Sequence, residues 1–144
     1  MATFNLTIPI EPKGQQRPRF FSAGRFKKAY KDKGQKLEEA KIMGLLYGQA
    51  PQSPLEGALE LEVVAYMPIP KSFPKWKQLA AQSNEIRPAK KPDWDNLAKQ
   101  ICDILNGVAW TDDAQIVGAM VKKFYSLSPR WEVRITEVEN GKNN

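Results

Sequence analysis

Apolar residues recur with two different spacings along this chain, and these spacings constrain its fold class more than any other feature. Between residues 97 and 105 they follow the 3.6-residue period of a helix, and the Asn-Gly that comes next is a typical helix end. Elsewhere they alternate with polar residues, as in a half-buried strand. A helical stripe combined with alternating segments predicts an α+β domain with a small mixed sheet and helices packed on it. The stripe consists of Leu97, Ile101, Ile104 and Leu105.

Four segments have the alternation or the apolar run of a strand. The last two flank the short turn SLSP, so we predict that they form a hairpin. Proline follows the first segment directly and also stops the second, since it cannot donate a ladder hydrogen bond. The predicted strands are residues 3–8, 59–67, 115–125 and 131–136.

Two further helices complete the prediction. The first runs from Gln35 to about Gly48, and the second is a short surface helix with Ser72 as its N-cap and Pro74 in its first turn. Residues 13–36 are rich in Gly, Pro and basic residues and predict a long loop, which is usually functional or disordered. Residues 140–144 predict a frayed tail. The length of 144 residues fits a single domain, residues 1–144.

Composition excludes several kinds of chemistry. The chain has no histidine, which removes imidazole bases and Ser-His-Asp or Cys-His catalysis, and Cys102 is its single cysteine, which removes disulfide frameworks. The net charge of +6 makes a polyanion the leading candidate partner. No signal peptide and no apolar run of about 20 residues is present, so we expect a soluble cytoplasmic protein without membrane contacts.

Acidic residues gather at the start of the predicted 97–105 helix, in the stretch KPDWDNLAKQ. Asp95 as a simple N-cap is the ordinary explanation, but a cap needs only one carboxylate. Because Pro92 fixes an extended approach, Asp93 and Asp95 are expected to project to the same side, roughly 7 Å apart. Lys99 and Asp103 follow Asp95 at intervals of four, where ordinary i,i+4 pairing on a solvated face is an equal explanation.

A second acidic pair, Asp112 and Asp113, directly precedes a predicted strand. Adjacent residues of an extended chain point to opposite sides, so at most one of them is expected to join the first cluster. Three carboxylates about 5 Å apart repel by about 3 kcal/mol per pair at an effective dielectric near 20. A hard divalent cation such as Mg²⁺ offsets that repulsion and can face a DNA phosphate, which predicts phosphodiester hydrolysis.

These residues also carry a resemblance to a known family. The block KPDWDNLAKQICDILNGVAWTDDAQIV, with KGQQRPRF before it, resembles the RusA family of Holliday junction resolvases, especially its phage and prophage members. The resemblance implies a Mg²⁺-dependent, homodimeric endodeoxyribonuclease that nicks four-way DNA junctions symmetrically in recombination and repair. It also implies a catalytic, metal-binding triad of Asp93, Asp95 and Asp113, an essential Lys99, and a supporting role for Asp103. The stretch from 71 to 91 is longer than in the shortest family members.

Basic segments predict how DNA is held. Nine basic residues and one acidic residue lie between Lys13 and Lys36, interleaved with aromatic residues, a mixture suited to phosphate contacts and base stacking. A flexible solvated arm is the ordinary alternative. The candidate DNA contacts are Arg17, Arg19, Lys27, Lys28, Lys90 and Lys91.

Two other functions fit the same residues. A non-catalytic DNA-binding module would use the acids only for capping and charge balance, and it would not require Mg²⁺. A nuclease acting on flaps or other branched DNA would share the metal site and the basic surface but not the preference for four-way junctions.

Overall fold

The structure is a computed structural model that describes residues 2–13, 19–20, 29–30, 40–41 and 43–139. Side chains are described for the same residues except those of 19–20 and 29–30. Within these residues the strands are β1 (Thr3–Ile8), β2 (Arg19–Phe20), β3 (Ala29–Tyr30), β4 (Leu59–Pro68), β5 (Ile116–Ser126) and β6 (Arg130–Glu137). The helices are α1 at residues 40–41 and 43–46, α2 (Lys75–Gln82) and α3 (Trp94–Leu105), with a 3₁₀ turn at Asp113–Gln115.

A four-stranded mixed sheet in the order β1-β6-β4-β5 forms the centre of the fold. β6 is antiparallel to both β1 and β4, whereas β5 runs parallel to β4. This confirms the predicted α+β class and the strand character of all four segments. β2 and β3 pair separately with each other, so the predicted 13–36 loop contains a short ribbon. The rest of that loop and the predicted tail lie outside the described residues.

The predicted hairpin between β5 and β6 is wrong, because β4 lies between these two strands. Only three residues connect them, and they cross the end of β4, where Pro68 pairs with Ser126 and Tyr66 with Arg130. Two interstrand spacings amount to about 10 Å, which a connection of this length can span. Arg130 stabilises the crossing, since its Nη1 donates to Ser126 Oγ at 3.1 Å and to the carbonyl of Ser128 at 2.9 Å.

The core lies between the sheet and α3. Alternate residues of β4 are buried, from Leu59 to Met67, and they pack in one cluster with the fully buried stripe of α3. That stripe consists of Leu97, Ile101 and Leu105, whereas Ile104, the fourth residue of the predicted stripe, is only half-buried. Burying each such side chain stabilises the fold by roughly 1.5–3 kcal/mol. The core therefore fixes which side of α3 faces solvent.

The other helices agree with the prediction in part. α1 covers the second half of the helix predicted between Gln35 and Gly48. The first residues of that predicted helix lie outside the described residues. α2 has Pro74 rather than Ser72 as its N-cap. Proline suits that position because its fixed φ matches a helix start, and its carbonyl accepts from the backbone N–H of Gln78 at 3.0 Å. No helix among the described residues is long and apolar enough to cross a membrane.

Candidate active site

The N-terminal end of α3 carries two exposed carboxylates. Asp93 is the N-cap residue and Asp95 lies in the first turn, so the expected extended geometry is wrong for Asp95. The side chain of Asp93 makes no capping hydrogen bond, and its Oδ2 instead lies 3.2 Å from Nζ of Lys91. An exposed pair of this kind contributes little to stability. Both carboxylates lie at the positive end of the helix dipole, where negative charge is favoured.

Lys99 lies one turn further along α3, on the same side as Asp95. Its side chain is exposed, and the described part of the chain offers it no hydrogen bond or ion pair. The i,i+4 ion pairs that the solvated-face explanation requires at Lys99 are therefore not formed. The ammonium group remains available to an external anion beside Asp95.

The two adjacent aspartates before β5 have different environments. Asp112 caps the 3₁₀ turn: its Oδ1 accepts from the backbone N–H of Ala114 at 3.4 Å, and its own N–H donates to Oε1 of Gln115 at 2.8 Å. Oδ1 of Asp113 instead accepts from Nε1 of Trp110 at 2.7 Å, and Trp110 is fully buried. The turn, rather than an extended chain, directs the two carboxylates differently. Asp112 stabilises a turn, whereas Asp113 is held by the core.

Asp113 lies close enough to α3 to influence Cys102. Burial, followed by the charges of Asp113 and Asp103, raises the pKa of the Cys102 thiol from 9.0 to about 11. Cys102 follows Lys99 by three residues, so both lie on one side of the helix. Since a helix rises 1.5 Å per residue, Lys99 lies about 6 Å from Asp95 and about 4.5 Å from Cys102 along the axis.

The carboxylates described above do not form a complete metal site. Among the residues that the structure describes, no group of three or more His, Cys, Asp or Glu side chains is arranged to hold a metal ion. Asp93 and Asp95 still fit a hard cation by their chemistry, because Mg²⁺ is often bound by one or two carboxylates together with water and substrate phosphates. The carboxylate pair thus suits an ion that arrives with an anionic ligand.

Lys123 on β5 is a positioning residue that the sequence did not reveal. Its Nζ donates to the carbonyl of Lys90 at 2.6 Å and to that of Pro92 at 2.9 Å, which ties the segment before α3 to the sheet. The backbone carbonyl of Lys123 accepts from Nε of Arg87 at 3.0 Å. In the sequence Lys123 is only the second of two adjacent lysines in a strand. The bond from Trp110 to Asp113 was also missed. The one signal for it in the sequence is that the two residues are three positions apart.

We expect Lys123→Met to lower the free energy of unfolding by about 1–3 kcal/mol, because two charge-assisted hydrogen bonds are lost. Amide hydrogen exchange should also become faster at residues 93–97. Lys122→Met is the matched control, since Lys122 is exposed and makes no hydrogen bond or ion pair within the described residues. Equal exchange rates in the two variants would contradict the positioning role.

The predicted DNA contacts are only partly described. Lys90 and Lys91 are exposed and lie beside a cavity of about 220 Å³. That cavity is lined mainly by apolar residues at the end of β4 and by Tyr125. Arg17, Lys27 and Lys28 lie outside the described residues, and for Arg19 only the backbone is described. A cationic surface therefore directly precedes the acidic end of α3.

Comparison with known proteins adds two findings. A family model described as "Endodeoxyribonuclease RusA" matches residues 9–136, which is most of the chain. The chain is also 36% identical over 141 residues to the uncharacterized protein YqaN of Bacillus subtilis (strain 168). That alignment covers 96% of this chain and 99% of the relative, so the two proteins are similar along their whole length.

Proposed function

The chain belongs to the RusA endodeoxyribonuclease family, and from this premise we propose that it cuts four-way DNA junctions in the presence of Mg²⁺. The observation that carries the proposal is the arrangement around α3: Asp93 and Asp95 at its N-terminus, Lys99 exposed one turn later, and Asp113 held beside the same helix. Mg²⁺-dependent phosphodiester hydrolysis uses negative ligands for the cation and a positive group for the phosphate, and this arrangement offers candidates for both.

Asp93, Asp95 and Asp113 are the proposed protein ligands of the ion. When bound, Mg²⁺ supplies a water of lowered pKa and neutralises charge at the phosphate. Among the described residues no three carboxylates are arranged to hold an ion, so the triad depends on the family resemblance and on the chemistry of the side chains. The hydrogen bond from Trp110 fixes the orientation of the Asp113 carboxyl group, and Lys123 fixes the segment that leads to Asp93.

Lys99 is the proposed contact to the scissile phosphate. Its ammonium group has no partner among the described residues, so binding a phosphate breaks no existing ion pair. A cation at this position stabilises the negative charge that develops on the phosphoryl oxygens in the transition state. Lys90 and Lys91 are proposed to hold neighbouring phosphates, which positions the strand without reading its sequence.

Paired nicks require two active sites with matching geometry. A four-way junction has approximate two-fold symmetry, so we propose that the chain acts as a C2 homodimer with one acidic site for each of two equivalent strands. We also place the reaction in DNA recombination and repair, because four-way junctions are intermediates of strand exchange. The cytoplasm is the proposed location.

Cleavage of a substrate panel tests the proposal. Labelled duplex, flap, replication-fork and four-way junction DNA are incubated with the protein, with and without Mg²⁺. We expect cutting that depends on Mg²⁺ and is fastest on the four-way junction, with nicks at symmetric positions. Binding without cutting under all conditions would identify a non-catalytic module, and equal or faster cutting of flaps would identify a nuclease for other branched DNA. Either result contradicts junction resolution.

A further inference from the structure

The apolar stripe of α3 does not stop where the core ends. Leu97, Ile101 and Leu105 are fully buried, but Trp94, three residues before Leu97 on the same stripe, leaves 66% of its surface exposed. Positions i and i+3 lie on the same helix face, so Trp94 extends the stripe beyond the sheet and into solvent. A large aromatic ring is thus displayed at the acidic end of the helix.

The chain's four tryptophans differ sharply in exposure. Trp110 and Trp131 are fully buried, whereas Trp76 and Trp94 are 68% and 66% exposed. Within the described residues, Trp94 makes no hydrogen bond and no ring contact. What distinguishes it from Trp76 is its position, since Asp93 and Asp95 flank it directly.

The groups around Trp94 restrict what can cover its ring. Its neighbours Asp93 and Asp95 carry exposed carboxylates, and a protein surface that enclosed the ring would have to desolvate both, which is costly without paired cations. A nucleobase is flat, uncharged and small enough to cover the ring while leaving the carboxylates in water. Its phosphates would meet the exposed ammonium group of Lys99 and, on the other side of the ring, that of Lys91, which lies 3.2 Å from Asp93 Oδ2. Aromatic rings beside cations are the usual combination at single-stranded nucleic-acid sites.

We propose that Trp94 is a stacking platform for an unpaired nucleobase next to the scissile phosphate. The inference rests on the proposed function and adds a subsite to it. α3 carries both the ring and the acidic residues. A base stacked on the ring would therefore fix the position of the next phosphate relative to those residues. The substrate class it predicts is DNA with unstacked bases at the cutting point, as at the centre of an opened junction.

Two substitutions at Trp94 test the platform. Trp94→Leu keeps an apolar side chain but removes the aromatic face, whereas Trp94→Phe keeps a smaller aromatic face. We expect the Leu variant to bind a four-way junction in EDTA roughly tenfold more weakly, as for the loss of one base–aromatic stack, and the Phe variant to bind nearly normally. Trp94 is 66% exposed and lies outside the buried core, and thermal unfolding should verify that both variants remain folded. Equal binding by Trp94→Leu and the unmodified protein would overturn the proposal.

Fluorescence gives a second, independent measurement. In the Trp76→Phe variant, Trp94 is the one exposed tryptophan that remains. We expect its emission to be quenched when four-way junction DNA is added, and to be quenched less by a fully paired duplex of the same length. A bound complex without quenching would overturn the proposal. The proposal would also be overturned if the molecular mass in solution of Trp94→Leu were half that of the unmodified protein. That result would mean that a second copy of the chain covers the ring.

These outcomes are separable from the proposed function. If the unmodified protein cuts junctions with Mg²⁺ but Trp94→Leu binds and cuts equally well, only the platform is wrong. If Trp94 is quenched by junction DNA but no substrate is cut under any condition, the platform is supported and the nuclease proposal is wrong.

Discussion

Asp113→Asn is expected to lower the rate of junction cleavage by at least roughly 100-fold, the scale observed when one preorganised electrostatic group is removed from an active site. Asparagine is nearly the same size, and its Oδ1 can still accept the hydrogen bond from the buried Trp110. The substitution therefore removes negative charge while the local structure is kept. Single-turnover cleavage of a labelled four-way junction in Mg²⁺ measures the effect.

Asp112→Asn provides the matched control for this prediction. It removes the same charge from the adjacent residue, and asparagine caps a helical turn about as well as aspartate, so the turn remains intact. We expect its cleavage rate to stay within about twofold of normal. If both variants lost the same factor in cleavage rate, cleavage would depend on the total negative charge of this segment. That result would contradict the special role of Asp113.

Cys102 reports independently on where the Asp113 carboxylate lies. It is the single cysteine, and the Asp113 charge is one reason why its pKa is raised to about 11. A nearby negative charge disfavours the thiolate, so Asp113→Asn should lower the pKa of Cys102, while burial and Asp103 keep it above 9.0. Because the thiolate is the reactive form, alkylation at a fixed alkaline pH should become faster in Asp113→Asn and not in Asp112→Asn.

Local patterns in the sequence predicted the four strands of the main sheet and the helix α3, but not the ribbon of β2 and β3. The buried residues of α3 recur at the helical period, and β1 and β4 show their alternation directly, so their burial followed from local spacing. The pairing of the strands, in contrast, could not be predicted from local patterns. A three-residue connection normally joins hairpin partners, and nothing within residues 115–136 indicates that β4 inserts between β5 and β6. That insertion depends on where β4 ends, about 60 residues earlier in the chain.

Some features of the candidate site could likewise be predicted from local spacing, and others could not. Asp95 and Lys99 are four residues apart, so helix geometry alone predicted their common side. The expected common side of Asp93 and Asp95 depended instead on an extended chain, which α3 replaces at Asp95. The choice between Asp112 and Asp113 came only from the family resemblance, since alternation predicts one of the two without saying which. The structure supplies a physical reason for distinguishing them, namely the bond from Trp110 and the cap at Ala114. Lys123 could not be found from the sequence, because its partners are backbone carbonyls more than 30 residues away.

The helix end itself favours acidic residues at the start of α3 in a chain with a net charge of +6. Unpaired backbone N–H groups at the start of α3 favour negative charge, by about 0.3–1 kcal/mol for each exposed carboxylate. That is less than the roughly 3 kcal/mol by which two carboxylates 5 Å apart repel at an effective dielectric near 20. The helix dipole therefore offsets only part of such a repulsion, and the ammonium group of Lys91, 3.2 Å from Asp93 Oδ2, contributes a further offset.

Lys99→Met is expected to lower the single-turnover cleavage rate by at least roughly 100-fold at saturating protein, because the proposed contact to the scissile phosphate is lost. Methionine keeps the length and the apolar stem of the side chain, and its helix propensity is close to that of lysine. Since Lys99 makes no ion pair within the described residues, the free energy of unfolding should change by less than about 0.5 kcal/mol. Junction binding should survive, with a salt slope reduced by about one.

Two further variants show whether the effect belongs to this lysine. Lys75→Met removes another exposed cation, from the first turn of α2, and should leave the saturated cleavage rate unchanged. Lys99→Arg keeps the positive charge with a different geometry, so we expect a smaller loss than for Lys99→Met. If Lys99→Met cut as fast as the unmodified protein once all DNA was bound, the lysine would act in binding alone, and stabilisation of the transition state would have to come from another residue.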